Sequence, residues 1–392
     1  MLNFTYNIPT KIIFGKDELE RLPKEILLHG KKVLLLYGKD SIKKTGLYDK
    51  VVSLLNNKNI SFKELSGVKP NPSISSVREG IKIIRENNLD FILAVGGGSV
   101  IDCAKAISAG VAYDGDPWDF LLGKAKVKNT LPIGTILTLA ATGSEMNGGS
   151  VISNEETKEK LAFGHPLLIP VFTFEDPTLT FTVSKYQTAA GATDIVSHLL
   201  EQYFTSHNDE GLPDRLTEAM MVNVINYAKK ALLEPDNYDA RANLMWTSSL
   251  ALNNLVTYGK KHGDWASHGI EHEVSAIYDI THGAGLAILF PNVLKYYLDK
   301  DIAEGLPLTK FLNLGKNVFN ISNNDEKTAA YEAVEKLRTF FNSLDMPSRL
   351  IQENVDDSKI EVMAKGAARK ETLGYYHTIG EKDVLQILKN SL

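Results

Sequence analysis

Two pairs of side chains four residues apart carry the chemistry most readily read from this sequence. Asp194 and His198 lie in a stretch with helical spacing of apolar residues, and His268-Gly269-Ile270-Glu271-His272 repeats the interval. Four residues is about one helical turn, so each pair shares a face and can reach a common ion. His282, in Thr281-His282-Gly283, adds another imidazole to the same half of the chain. Imidazoles with a carboxylate suit Zn²⁺, Fe²⁺ or Ni²⁺ better than Mg²⁺ or Ca²⁺. Taken singly, each histidine is better explained as a hydrogen-bonded core or surface residue. Only the joint spacing gives the metal reading equal standing. The same segment fits H-x-x-E-H, where two histidines hold zinc and the glutamate activates water for peptide hydrolysis. A peptidase, however, leaves the first half of the chain without a task.

That first half offers a phosphate cradle. Gly96-Gly97-Gly98-Ser99 follows the apolar run 91–95 and opens a helical stretch. Unpaired N–H groups and the positive end of a helix dipole can hold an anion there. It is neither G-x-G-x-x-G nor a P-loop, so plain turn chemistry is the alternative. A second glycine-rich stretch, 138–149, supplies hydroxyls and an amide suited to ribose or carboxamide, or else forms a wide hairpin or bulged strand. Cys103 reads as a small core residue, because no activating base stands near it in sequence. His29, His165, His207 and His262 read as structural or surface residues, and His377, beside two tyrosines, has no assigned role.

The elements that must position these groups change character along the chain. Segments 11–15, 33–37 and 91–95 are apolar at nearly every position, as strands buried on both faces are. Between them, 40–56 and 73–87 show helical spacing, with Ser73 as N-cap of the second. The alternation predicts a parallel βαβ sheet. Beyond about residue 185 the pattern turns helical, over 188–204, 215–233, 238–258 and 329–343. We therefore expect an α/β domain over 1–184 and a helical domain over 185–392.

Composition narrows the partners. At roughly 150 residues per domain, 392 residues suggest two or three domains. The net charge of −5, without a long Lys/Arg cluster, argues against nucleic acid. No apolar run approaches the roughly 18 residues that span a bilayer. One cysteine allows no intrachain disulfide, and the N-terminus shows no signal-like pattern, so the expected location is the cytoplasm.

The chain resembles the group III, iron-dependent alcohol dehydrogenases, most closely their butanol dehydrogenase-like aldehyde reductases. The likeness rests on Pro9-Thr10-Lys11-Ile12-Ile13-Phe14-Gly15, Lys43-Lys44-Thr45-Gly46, Pro70-Asn71-Pro72, Gly96 through Asp102, Leu137 through Glu145 and His268 through Pro291. It implies a dehydroquinate synthase-like architecture, with an α/β nucleotide-binding domain, an all-α metal-binding domain and the site in the cleft between them. By the resemblance, Asp194, His198, His268 and His282 hold Fe²⁺ or Zn²⁺, and His272 relays a proton near the reacting carbon. Gly97, Gly98 and Ser99 take the pyrophosphate, with Asp102 steadying the loop. Thr138, Thr142, Asn147, Lys160 and Leu179 line the rest of the nucleotide, although Lys160 also reads as a solvated charge.

Gly38-Lys39-Asp40-Ser41 replaces the Gly-Gly-Gly-Ser often found in relatives that use NADPH. Lys39 and Ser41 favour a 2′-phosphate and Asp40 opposes it; subgroup likeness inclines the reading towards NADP(H) over NAD(H). The implied reaction interconverts short primary alcohols and aldehydes in a homodimer. A glycerol-type polyol dehydrogenase of the same fold is the alternative.

Overall fold

The apolar runs 33–37 and 91–95 become buried strands, whereas 11–14 forms an edge strand in which only Ile13 is buried, because it has a neighbour on one side alone. In the computed structural model, which describes residues 1–369 and 372–392, the strands of the first half are Lys11–Phe14 (β1), Lys32–Tyr37 (β2), Ser61–Leu65 (β3), Phe91–Gly96 (β4) and Ile133–Leu137 (β5). A hairpin, Gly149–Asn154 (β6) and Glu159–Gly164 (β7), then precedes Phe172–Glu175 (β8). Six of them form one parallel sheet in the order β1-β8-β5-β4-β2-β3, and β6 and β7 pair antiparallel. Every residue of β4 and β5 is buried, as expected of central parallel strands covered on both faces.

The connecting helices are Leu22–Leu27 (α1), Ser41–Lys44 (α2), Leu47–Asn57 (α3), Ile74–Asn87 (α4), Gly98–Val111 (α5) and Trp118–Leu121 (α6). Val51 and Leu55 of α3 join Leu35 and Leu93 in one core cluster, and α4 and α5 pack on each other and on the strands. Ser73 caps α4, its hydroxyl accepting from the Ser76 N–H. The segment 40–56 forms two helices rather than one, because α2 ends at Thr45, whose hydroxyl donates to the Ile42 carbonyl.

The second half is helical: Lys185–Tyr203 (α7), Leu212–Leu233 (α8), Tyr238–Ala251 (α9), Ala266–Tyr278 (α10), His282–Glu304 (α11), Thr309–Phe319 (α12), Glu326–Ser343 (α13), Ile360–Ala367 (α14) and Glu381–Ser391 (α15). Helix α7 is buried at every position from Thr188 to Tyr203, with α8, α9 and α11 packed around it. Its small and aliphatic residues suit a helix enclosed on all sides. Helix α9 stops well short of 258: Asn253 accepts from the Leu255 N–H and Asn254 turns left-handed at φ 68°. None of the described helices is long and apolar enough to cross a membrane.

The chain divides into two compact units, Asn7–Val183 and Met1–Tyr6 with Ser184–Leu392. The first six residues belong with the helices: Leu2 N–H donates to the Gly259 carbonyl and Phe4 stacks on Tyr258.

At the centre of the sheet, a Cβ on Gly134 would fall 2.3 Å from Phe172 and 2.8 Å from Phe91, whose rings stack at 5.7 Å. Gly134→Ala must displace that pair and is expected to cost about 1–3 kcal/mol. A thermal melt of the variant with unchanged Tm would show that the pair yields without cost.

Candidate metal centre and nucleotide-binding edge

Helix α7 carries Asp194 and His198 one turn apart, α10 carries His268 and His272, and His282 opens α11, which packs on both of the others. The Asp194 Oδ1 sits among three imidazoles, 3.7 Å from His198 Nδ1, 3.9 Å from His268 Nε2 and 3.6 Å from His282 Nε2. Ligand atoms of Asp194, His268 and His282 all lie within 4.8 Å of one another; His198 joins through Asp194 and stands outside that triad.

Asp194 Oδ1, His198 Nδ1 and His268 Nε2 are buried and have no hydrogen-bond partner. Orphaned polar atoms are costly in a core, and these point at one another at separations too long for hydrogen bonds. Four bonds of about 2.0–2.2 Å to a shared cation place ligand atoms at comparable separations. The donor set therefore fits a divalent transition metal.

Two further carboxylates hold the rings in place. Glu201 Oε1 lies 2.7 Å from His268 Nδ1 and accepts the His268 N–H, and its Oε2 accepts the Trp265 N–H. Glu271 accepts from His282 Nδ1 and from the Ser275 hydroxyl. With their Nδ1 protons so bound, His268 and His282 turn their Nε2 lone pairs inwards.

Charge follows this arrangement. Burial alone would raise the Asp194 carboxyl, but the His198, His268 and His282 rings hold it well below the usual range. Burial pushes His198 down to about 3, against the pull of Asp194. For His268 burial also works downwards, yet Asp194 and Glu201 outweigh it and take the ring up to about 9.

Neither glutamate was singled out as a support from sequence. Glu201 stands seven residues after Asp194, two turns along one face of the same helical stretch, and that spacing was the available signal. Glu271 had a sequence role only as the water-activating base of a peptidase. Its carboxylate is fully buried and bonded to Ser275 and His282, which leaves no base facing water. His272 is half-buried, its ring 6.5 Å from that of His268 and 5.7 Å from that of His282.

In the α/β unit the predicted nucleotide contacts gather along the carboxyl edge of the sheet. Tyr37 pairs with Val95, Gly96 with Leu137, and Ile136 with Phe174. The segments that follow, Gly38–Ser41, Gly97–Ser99 and the stretch from Thr138, therefore emerge from neighbouring strands. The chain leaves β2 for β3 on one side and β4 for β5 on the other. Parallel sheets bind nucleotides at such a reversal.

A Cβ on Gly98 would fall 2.2 Å from Thr142 Oγ1, so only glycine lets the start of α5 approach that threonine. Gly97, the residue before α5, gives it no side-chain cap. Leu179 packs against the core and lines a recess of about 220 Å³ with Gly15, Thr45, Gly46, Lys50 and Thr178.

Three of the candidates are engaged within the protein or buried. The Asn147 amide is engaged within the protein, accepting from Lys105 and the Gly149 N–H and donating to the Gly143 carbonyl. Asp102 accepts from the Ser144 hydroxyl and the Val151 N–H, so it steadies the segment after β5. Lys160 is buried, where a solvated charge was the alternative. Stretch 138–149 is neither hairpin nor bulged strand but a loop with a 3₁₀ turn at Ser144–Met146.

Lys105, unremarked in sequence, organises this loop. It is fully buried and donates to Ser144 Oγ, Asn147 Oδ1 and the Gly149 carbonyl. Burial lowers its pKa to about 8. Cys103 is buried as expected, and burial pushes its thiol up to about 12.

The whole chain has known relatives. The iron-containing alcohol dehydrogenase family matches residues 9–177, and the C-terminal part of the Fe-containing alcohol dehydrogenase family matches 188–392. NADH-dependent butanol dehydrogenase A of Clostridium acetobutylicum is 50% identical over the full length of both chains. The NADPH-dependent aldehyde reductase YqhD of Escherichia coli is 38% identical over 93% of this chain and 92% of its own. The crystal structure of NADH-dependent butanol dehydrogenase A from Thermotoga maritima superposes with a TM-score of 0.94 at 38% identity, covering 99% of this chain and 98% of that one.

Glu201→Gln keeps the shape of the His268 support and removes its charge. It is expected to lower Zn²⁺ affinity about 10- to 100-fold with the far-UV circular dichroism unchanged. Wild-type affinity in a metal-buffer titration would show that Glu201 does not orient a ligand.

Proposed function

The chain belongs to the iron-containing alcohol dehydrogenase family, and on that premise we propose that it reduces short aldehydes to primary alcohols, and reverses the reaction, at a metal held by Asp194, His198, His268 and His282. As a member it is an NAD(P)-dependent oxidoreductase acting on alcohols and aldehydes. The single observation that carries the site assignment is the set of buried, partnerless atoms on Asp194, His198 and His268 turned towards one point. A butanol-like substrate follows from the butanol dehydrogenase at 50% identity. Fe²⁺ is our first choice and Zn²⁺ fits the same donors.

When bound, the metal supplies Lewis acidity to the substrate oxygen, and the nicotinamide supplies or accepts the hydride. The chain's own groups do the rest. Glu201 and Glu271 hold the Nδ1 protons of His268 and His282 and so keep the Nε2 atoms available as ligands. His272, one turn beyond His268 and beside His282, moves a proton to or from the substrate oxygen through its imidazole. Backbone N–H groups at Gly97, Gly98 and Ser99 take the pyrophosphate at the start of α5. Lys105 and Asp102 keep the Thr138–Asn147 side of the nucleotide site in shape.

The choice between nucleotides falls to Lys39, Asp40 and Ser41, all exposed just past β2. Sequence inclined towards NADPH through subgroup likeness. Two observations support the opposite preference: the 50% identical relative is named NADH-dependent, and the Asp40 carboxylate makes no capping bond to α2, which leaves it available to a ribose hydroxyl and repulsive to a 2′-phosphate. We infer a preference for NADH. We also read the enzyme as a cytoplasmic homodimer: its one cysteine is a buried thiol, and β1, at the sheet edge with Phe14 exposed, offers a second copy a place to pair.

Two experiments test this reading. Chelator-treated protein reloaded anaerobically with Fe²⁺ or Zn²⁺ is expected to oxidise NADH with butanal. His268→Ala should lose bound metal and turnover together, whereas His272→Ala should keep the metal and lose about 10²- to 10⁴-fold in kcat. A metal-free His272→Ala protein would overturn the division of roles, and turnover of glycerol but of no short aldehyde would transfer the enzyme to polyols. Second, Asp40→Gly is expected to raise kcat/KM for NADPH at least tenfold with little change for NADH; an unchanged ratio removes Asp40 from the selection.

A further inference from the structure

A second histidine–carboxylate cluster lies in the helical unit, built from residues that sequence left as structural or unassigned. His207 comes from the connection between α7 and α8, Asp301 from the last turn of α11, and His377 from the segment between α14 and α15. Their ligand atoms all lie within 4.8 Å of one another. Both imidazoles direct Nε2 at the same oxygen, Asp301 Oδ1, at 3.0 Å from His207 and 2.6 Å from His377. The other oxygen, Oδ2, accepts from the Tyr376 hydroxyl at 2.7 Å.

The Asp301 side chain is completely buried, that of His377 is 7% exposed and that of His207 22% exposed. Aromatic rings wall the cluster: Tyr376 stacks on His207 at 4.3 Å, and Tyr297 lies 5.4 Å from His377.

We propose that His207, Asp301 and His377 form a second divalent-cation site, with the donor chemistry of Zn²⁺, that fastens the carboxy-terminal segment to the helices. Two imidazole nitrogens and a carboxylate oxygen are a zinc-type donor set, and a hydroxyl bonded to the far carboxylate oxygen is the outer support that metal-ligating carboxylates commonly have. The partial exposure of His207 gives an ion its way in and leaves a fourth position for water.

Around a tetrahedral ion with bonds of about 2.0 Å, neighbouring ligand atoms stand about 3.3 Å apart. The N···O separation must therefore widen by about 0.3 Å at His207 and about 0.7 Å at His377 as the ion replaces two N–H···O hydrogen bonds. Each imidazole then gives up its Nε2 proton, to solvent or to its own Nδ1, and binds the ion through the Nε2 lone pair. A divalent cation at this point compensates the charge of the buried carboxylate directly.

Such an ion has something to hold. Leu373 and Ile379 bridge across the segment, and the N–H groups of Tyr375 and Tyr376 both donate to Asp264 Oδ1. Asp264 directly precedes Trp265, whose own N–H donates to Glu201, the carboxylate that holds His268. The second cluster thus anchors a segment that braces the start of α10.

The test counts ions on the full-length chain. Chelator-treated protein is dialysed against buffered free Zn²⁺, and bound zinc is measured by mass spectrometry beside Asp194→Asn and the double variant His207→Gln/His377→Gln. The expected result is two zinc ions per wild-type chain and one in each variant. Zn²⁺ should raise the Tm of Asp194→Asn, and that rise should vanish when His207→Gln/His377→Gln is added to it. Should the double variant not fold, His207→Gln alone, at the partly exposed position, should weaken the ion that Asp194→Asn retains at least tenfold. A single ion in wild type that Asp194→Asn abolishes would overturn the proposal, as would two ions retained in the folded double variant.

Discussion

The helical unit is organised around one carboxylate oxygen. Asp194 Oδ1 lies within 4 Å of three imidazole nitrogens drawn from α7, α10 and α11, and it and the nitrogens of His198 and His268 are buried with no hydrogen-bond partner. That requirement constrains the helices more tightly than apolar packing does. A leucine core tolerates a shift of part of a turn with some repacking. Three ring nitrogens converging on one atom do not. Glu201 and Glu271 show how the constraint is met: each imidazole of α10 and α11 that faces Asp194 is held from behind by a buried carboxylate, and the full burial of α7 follows from carrying both Asp194 and Glu201. Gathering three acidic groups in a core is costly unless positive charge compensates them. The upward pull of Asp194 and Glu201 on His268 expresses the same deficit.

The α/β unit solves a different problem, that of exposing backbone N–H groups without leaving a floppy loop. The start of α5 is kept free of side-chain caps, and the neighbouring stretch after β5 is drawn close against it, so close that Gly98 has no room for a Cβ beside Thr142. What keeps that stretch rigid is the amino group of Lys105, a buried cation with three acceptors, together with Asp102 tied to Ser144 and Val151. In the proposed nucleotide site Asp102 and Asn147 would serve as framework, through hydrogen bonds to Ser144, Val151, Gly143 and Gly149.

Legibility in the sequence divided along physical lines. Whatever depends on periodicity was readable: the buried parallel strands 33–37 and 91–95, the N-cap at Ser73, the helical second half, and the two i,i+4 pairs Asp194/His198 and His268/His272. Whatever depends on where local hydrogen bonds stop an element was missed, as at Thr45, which splits 40–56, and at Asn253 and Asn254, which end α9 early. Side chains whose function comes only from convergence were silent or misread. Lys105 looks like any helix lysine until the fold buries it, and of the two readings of Lys160, nucleotide contact or solvated charge, its burial removes the second. Glu271 had the right address and the wrong role, because a motif specifies spacing while the direction of a carboxylate is set by its neighbours, here Ser275 and His282. His207 and His377 stand 170 positions apart in sequence, and no local pattern could pair them across Asp301.

The two histidine–carboxylate clusters of the helical unit contain the same ingredients in opposite states of hydrogen bonding, and that contrast separates their chemistry. Around Asp194 the nitrogens stand 3.6–3.9 Å from the oxygen, held back by Glu201 and Glu271, so the polar atoms cannot satisfy one another. Around Asp301 they close to 2.6 and 3.0 Å and satisfy one another directly. An ion entering the first cluster breaks no protein hydrogen bond, whereas one entering the second must displace two. At equal donor strength, that difference puts the tighter affinity at Asp194, each net hydrogen bond lost at Asp301 costing about 1 kcal/mol or somewhat more for a charged acceptor. It also divides the consequences of metal depletion. Without its ion the first cluster is left with buried polar atoms that have no partner, while the second falls back on its own, weaker hydrogen-bonded fastening. On the proposed reading, preorganisation assigns tight metal retention to the Asp194 centre and makes occupancy of the second site follow supply.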